Sequence, residues 1–178
     1  MSPAAAQTDD GWSEQVYSLI REAGITLVTT VPDAGLTRLL NLCAGDEDIR
    51  VVTLSTEEEG VGMGYGAWLG GVRALLCLQS SGTGNIINAL ALPAFARSPC
   101  LMLVTMRGQE GEGNPAQFPM GRAVKPVFEA MGVTCMEAMT KEDVAELFRQ
   151  AVDIAFNESR SVAVLIAQQV IGSKSFGK

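Results

Sequence analysis

Three consecutive carboxylates, Glu57, Glu58 and Glu59, follow a strand-like run and open a segment with glycine at every second position: Gly60, Gly62, Gly64 and Gly66. The chain has no histidine, so any acid–base chemistry falls to carboxylates, to a cofactor or to another subunit. Helix-start chemistry competes for the acids. Thr56 followed by Glu59 has the form of a capping box, and acids in a first turn suit the positive end of the helix dipole. That explanation absorbs one or two glutamates and none of the glycines. Each glycine costs a helix ~1 kcal/mol relative to alanine, so four of them need a cause, and close approach of another backbone or a flat ligand supplies one. A carboxylate at the mouth of a glycine-paved helix is a candidate site.

Composition narrows the chemistry further. The chain has 178 residues and 47% apolar composition, enough for one domain with a full core and too little for two ordinary ones. Residues 1–10 read as a loose tail and 11–178 as the domain. The formal charge of −7, with thirteen scattered basic residues, argues against nucleic acid. No apolar run reaches transmembrane length, and the start MSPAAAQTDDGW is unlike a signal peptide. Cys43, Cys77, Cys100 and Cys135 lie far apart in apolar surroundings, which reads as buried reduced thiols and a cytoplasmic location. The absence of histidine excludes a Ser-His-Asp or Cys-His device within the chain and disfavours zinc.

The elements that must position the acids alternate from end to end. Helix patterns cover 12–23, about 34–43, a glycine-paved stretch from about 57, a stretch ending near 96, about 120–131, and a helix capped by Thr140 that runs to about 157. Strand patterns cover 25–31, 50–55, 73–79, 100–106, 133–138 and 161–168. The run RALLCLQ (73–79) is apolar on both faces and is expected at the centre of the sheet. Six strands alternating with six helices give a three-layer α/β/α, mostly parallel, doubly wound sheet. Ligands in such folds bind at the carboxyl ends of the strands. Glu57, the 32–35 turn, the 80–85 loop and the 107–118 loop all follow strands and so share that rim.

Each of these has a plainer explanation. Ser80-Ser81-Gly82-Thr83-Gly84-Asn85 could cradle an anion at a helix start, but it lacks the P-loop lysine and the dinucleotide-binding spacing; a tight strand-to-helix turn explains it equally well. Asn85 and Asn88 are site candidates or ordinary helix polar positions. Arg107 could hold an anionic substrate group through bidentate hydrogen bonds, although a surface salt bridge to Glu110 or Glu112 is the simpler use. The glycines of 107–118 fit a mobile lid or an idle loop. Met102, Met106 and Met120 read as packing residues.

The stretches VPDAGLTRLL (31–40), TEEEGVGMGYGAWLGG (56–71), QSSGTGNIINAL (79–90) and VTMRGQEGEGNPAQFPMG (104–121) resemble, in order, the pyrimidine-binding domain of thiamine-diphosphate-dependent 2-oxoacid decarboxylases. The likeness is closest to sulfopyruvate decarboxylase α subunits and the matching half of phosphonopyruvate decarboxylases, and it covers essentially the whole chain. It implies that one glutamate bonds N1′ of the cofactor's aminopyrimidine. In the family that residue stands nine positions before a glycine, and counting back from Gly66 selects Glu57. Successive helical residues point ~100° apart, so at most one of the three acids faces a given atom, and Glu59 stays free for the cap. A carboxyl sharing a proton with N1′ promotes the imino tautomer that activates the cofactor, and the thiazolium serves as the electron sink for loss of carbon dioxide.

The same resemblance implies that Pro32, Ser81, Gly82, Thr83 and Asn85 lie at the cofactor, and Asp33, Arg107 and Gln117 at the substrate. Ala34 departs from the family, which usually has serine or cysteine in the Pro-Asp turn, so a different 2-oxoacid is open. The family's diphosphate site needs a Gly-Asp-Gly string that holds Mg2+. The nearest string here is Gly45-Asp46-Glu47 in an early turn. The resemblance therefore implies a hetero-oligomer in which a β subunit supplies the diphosphate and magnesium site. A thiamine-dependent carboligase subunit of acetolactate synthase type, or a non-catalytic regulatory subunit, would share these features.

Overall fold

Arg73–Gln79 (β3) alternates its side chains between two cores. Leu75 and Cys77 pack on one side of the sheet, and Leu76 and Leu78 on the other; that is how a strand of period two serves an α/β/α sandwich. The computed structural model describes residues 11–172, so the expected tail over residues 1–10 lies outside the described residues. Flanking β3 are Ile25–Thr30 (β1), Arg50–Thr53 (β2), Cys100–Thr105 (β4), Thr134–Ala138 (β5) and Ser161–Ile166 (β6). The order is β2-β1-β3-β4-β6-β5, and all five neighbouring pairs are parallel. The expected mostly parallel sheet is wholly parallel, with β3 inside it.

One face is covered by Trp12–Glu22 (α1), Thr37–Ala44 (α2) and Lys141–Glu158 (α6), which bury Trp12, Val16, Leu39 and Phe148. The other face carries Glu57–Leu69 (α3), Ala91–Ala96 (α4) and Phe118–Ala130 (α5), with Val61, Val124 and Phe128 turned inward. Phe128 and Phe148 are fully buried, and truncating either to alanine costs ~3–5 kcal/mol. Thr140 starts α6 with a complete capping box to Asp143. Met102 and Met106 are core residues, as expected.

Several boundaries move for identifiable reasons. Residues 80–86 wind as a tight 3-10 turn, and α4 is only six residues long. Two glycines weaken the first part of this stretch, and Thr83 donates its hydroxyl to the Ser80 carbonyl (2.6 Å) in place of a regular helical bond. A single turn at Ala34–Leu36 precedes α2, with the Asp33 carboxylate accepting from the Gly35 N–H (3.0 Å). The last strand ends at Ile166, and Gln168–Ile171 forms a short helix (α7). No helix among the described residues is long and apolar enough to cross a membrane.

Candidate active site

The chain leaves β1 toward β2 on one side and re-enters the sheet at β3 on the other, so a topological switch point falls between β1 and β3. Asp33, Glu57 and the 80–86 turn stand at the carboxyl ends of β1, β2 and β3. Glu57 is the first residue of α3 and is only 7% exposed. Its Oε2 accepts from Asn85 Nδ2 at 2.8 Å, and its other oxygen has no hydrogen-bond partner among the described residues. Gly82 faces it so closely that a Cβ there would lie 2.0 Å from Oε1.

Helix-start chemistry and site chemistry divide the three acids. Glu59 is spent at the helix start, but the expected capping box with Thr56 is not formed. The Glu59 carboxylate accepts from the Ser55 N–H (2.9 Å), and the Thr56 side chain makes no cap bond. Glu58 is exposed. One of the glycines has a cause within the chain. A Cβ on Gly60 would sit 2.5 Å from Leu76 Cδ1, so this glycine lets α3 lie against its own sheet. Gly62 and Gly66 meet nothing within 4 Å and are exposed.

The remaining expected site residues split into presented and committed groups. Pro32 and Ser81 are exposed on the rim, and the Ser81 hydroxyl donates to Gln79 Oε1 (2.9 Å). Thr83 is fully buried, its hydroxyl turned inward. Asp33 is 8% exposed and accepts from Gln79 Nε2 (2.6 Å) and Thr105 Oγ1 (2.8 Å). Its carboxylate therefore joins the ends of β1, β3 and β4. Gln117 lies in the single turn before α5, with a buried Oε1 that has no partner among the described residues.

Arg107 differs most from its expected setting. It forms a bidentate pair with Glu112 at 2.6 Å and 2.6 Å, and the two side chains are 5% and 1% exposed. The expected surface bridge is a buried one. Glu112 also accepts from the Gly108 and Asn114 N–H groups and from Gln168 Nε2. Arg107 beside it holds the Glu112 carboxyl down at about 2, with the two backbone donors adding to the effect, and Glu112 in turn raises the Arg107 guanidinium. Gln109 and Gln168 exchange two further bonds (2.7 and 3.1 Å). At the loop's base Gly108 has φ +74°, and a Cβ there would stand 2.3 Å from the Gln117 carbonyl. The loop is thus tied down at its middle and its base, which differs from a glycine-rich lid.

Gln79, Thr105 and Gln168 were not singled out from the sequence, and Ser80 only as part of the 80–85 loop. The signal was a polar residue at the end of an apolar strand, each on the carboxyl edge. Asp46, in the string nearest to Gly-Asp-Gly, sits between α2 and β2 on the opposite edge. Its carboxylate is taken by Tyr17 Oη (2.7 Å) and by Arg21, and Arg21 holds it at about 2. No cluster of three metal-ligating side chains occurs among the described residues.

In parallel α/β domains ligands bind at the carboxyl ends of the strands beside such a switch point. Residues 12–130 match the family described as thiamine pyrophosphate enzyme, N-terminal TPP binding domain, and the chain belongs to that family. It is 36% identical over 155 residues to a sulfopyruvate decarboxylase subunit alpha of Methanococcus maripaludis, covering 86% of this chain and 93% of the relative. It is 35% identical to the corresponding subunit of Methanothermobacter thermautotrophicus, covering 86% and 94%. A phosphonopyruvate decarboxylase of Streptomyces hygroscopicus is 35% identical over 133 residues, 74% of this chain and 32% of that relative. In fold, the chain resembles a thiamine diphosphate-dependent 4-hydroxybenzoylformate decarboxylase of Rhodococcus jostii RHA1, with a TM-score of 0.71 and 24% identity over 92% of this chain and 32% of that one.

Proposed function

We propose that this chain is the α subunit of a thiamine-diphosphate-dependent 2-oxoacid decarboxylase of the sulfopyruvate type, with Glu57 as its catalytic carboxyl. One observation carries the reading: Glu57 is buried at the carboxyl edge, fixed through Oε2 by a neutral donor and left with an uncommitted second oxygen. That donor set fits an aminopyrimidine, whose ring nitrogen shares a proton with a carboxyl. The bound cofactor supplies the electron sink for loss of carbon dioxide from the 2-oxoacid. The chain's own part is to hold one proton at Glu57, to keep water from it behind the 80–86 turn, and to frame the substrate mouth with Asp33, Ser81 and Gln117. Arg107 serves mainly to build that mouth, because Glu112 already occupies its fork.

Diphosphate and Mg2+ belong in this reading to a β subunit that carries Gly-Asp-Gly. The near-full-length match to proteins described as alpha subunits supports such a partner. The outer surface supports it too: Leu69 and Phe95, on neighbouring α3 and α4, are 69% and 91% exposed, beside the bare Gly62 and Gly66. The four cysteines are free thiols, which suits the cytoplasm. The test mixes this chain with its partner, thiamine diphosphate, Mg2+ and sulfopyruvate. Decarboxylation should need both chains and should collapse in Glu57→Gln; full activity of either chain alone, or of the variant, would end the proposal.

A further inference from the structure

We infer that Asn85 decides which oxygen of Glu57 carries the proton, and so acts as a positioning residue for the reaction; this rests on the reading of Glu57 as the cofactor's proton partner. An amide N–H2 group only donates. With Nδ2 at 2.8 Å from Oε2, that oxygen is committed as an acceptor, and Oε1 is left as the oxygen to be protonated. The carboxyl cannot simply turn over. Gly82 packs against it with Oε1 where a Cβ would otherwise be, so the group is held against the same turn that carries Asn85. That turn is anchored in its own right, by Thr83 Oγ1 on the Ser80 carbonyl (2.6 Å) and by the Arg107 N–H on Ser80 Oγ (2.9 Å).

Among the described residues, no charged side chain forms a hydrogen bond or ion pair with Glu57. On α3, Glu58 is exposed and Glu59 is bound to the Ser55 N–H; Tyr65 lies two turns along. Around the helix, β1, α4 and the 80–86 turn contain no ionisable side chain. The β3 strand contributes Arg73 at its far end, bonded to the Ala23 carbonyl, and Cys77 on the opposite face. The β4 strand contributes Cys100 at its first residue. Asp33, beyond β1, is held by Gln79 and Thr105. Asn85 is therefore the one side chain among the described residues that donates to Glu57. The sequence offered Asn85 as a site candidate or an ordinary polar position, and the family resemblance implied a cofactor contact.

The experiment follows the side-chain 13C signal of Glu57 against pH in the intact chain without cofactor, the signal being assigned by its loss in Glu57→Gln. Removing the donor in Asn85→Ala should raise the Glu57 midpoint by about one pH unit. Asn85→Asp keeps the shape but sets a second carboxyl against the first, so the pair should titrate in two steps separated by about 2 units or more. An unchanged midpoint in the first variant, or two independent ordinary carboxyls in the second, overturns the inference. The second variant decides alone if the first does not fold. If instead Glu57→Gln leaves turnover intact while the coupling is seen, the cofactor reading fails and with it the role of Asn85 in the reaction, while the bond between the two side chains stands.

Discussion

Glu57 and Glu112 are both carboxylates withdrawn from solvent at the carboxyl edge of one sheet, and they are bonded in opposite ways. Glu112 accepts five hydrogen bonds, two of them from the guanidinium of Arg107. Glu57 accepts one, from the neutral amide of Asn85. A carboxylate met on every side by donors is fixed as an anion and serves the loop it ties down. A carboxyl with one neutral donor and one uncommitted oxygen keeps a proton site available for chemistry. The turn that carries Asn85 and the loop that carries Glu112 follow adjacent strands, β3 and β4, and both contain glycines, so the difference lies in what their side chains bring to the acid.

The largest effect expected from breaking the comparison is on turnover. Glu57→Gln removes the proton site and keeps the shape, and the assembled enzyme should lose ~10²–10⁴-fold in kcat with little change in melting temperature. Arg107→Met should do the reverse. It leaves Glu112 buried without its cation, and breaking such a pair costs ~3–5 kcal/mol, read as a lower midpoint in urea unfolding of the chain. Equal loss of stability in both variants would erase the distinction between the two acids.

That distinction was only partly legible in the sequence. Helix and strand periods located all six strands, because burial patterns are local and the apolar run of β3 leaves no other place for it. The choice of Glu57 came from a family resemblance, since three adjacent acids look alike until a helix phase and a partner are known. Glu59 was rightly spent on the helix start, but its bond goes to Ser55, one residue earlier than the capping pattern predicts. The five-residue spacing of Arg107 and Glu112 suggested an ion pair but not its burial, which depends on Gln168 arriving from the end of β6, 56 residues away. The Asp33 partners Gln79 and Thr105 come from strands 46 and 72 residues distant, and only the sheet order brings them together. The glycine pattern was visible, but it could not say that Gly60 faces Leu76 while Gly62 faces outward.

Gly82→Ala sharpens the comparison from the side of the turn. The new methyl would occupy the space of Glu57 Oε1, and the carboxyl is the flexible end that must give way. Misplacing a reacting group by about 1 Å costs ~10²-fold in rate, whereas an added buried methyl costs ~1–3 kcal/mol of stability. Turnover should therefore fall well beyond what the melting temperature predicts, and the Glu57 side-chain signal should move. A fall in stability with unchanged specific activity of the folded fraction would mean that the turn only packs against the acid.

The smallest effect is on stability against pH. The Glu112 carboxyl is held at about 2 in the folded chain against an ordinary 4.5, so in this range the unfolded chain binds the extra proton. The contribution is present in full above about 4.5 and is lost as pH falls toward 2. Asp46, held at about 2 by Arg21 and Tyr17, adds to the same acid limb. Glu112→Gln should therefore be less stable than wild type at neutral pH, yet lose stability less steeply on acidification, by up to one bound proton. Urea unfolding at a series of pH values from 6 to 3 measures both slopes. Parallel slopes would show that Glu112 is no better held in the folded chain than in the unfolded one.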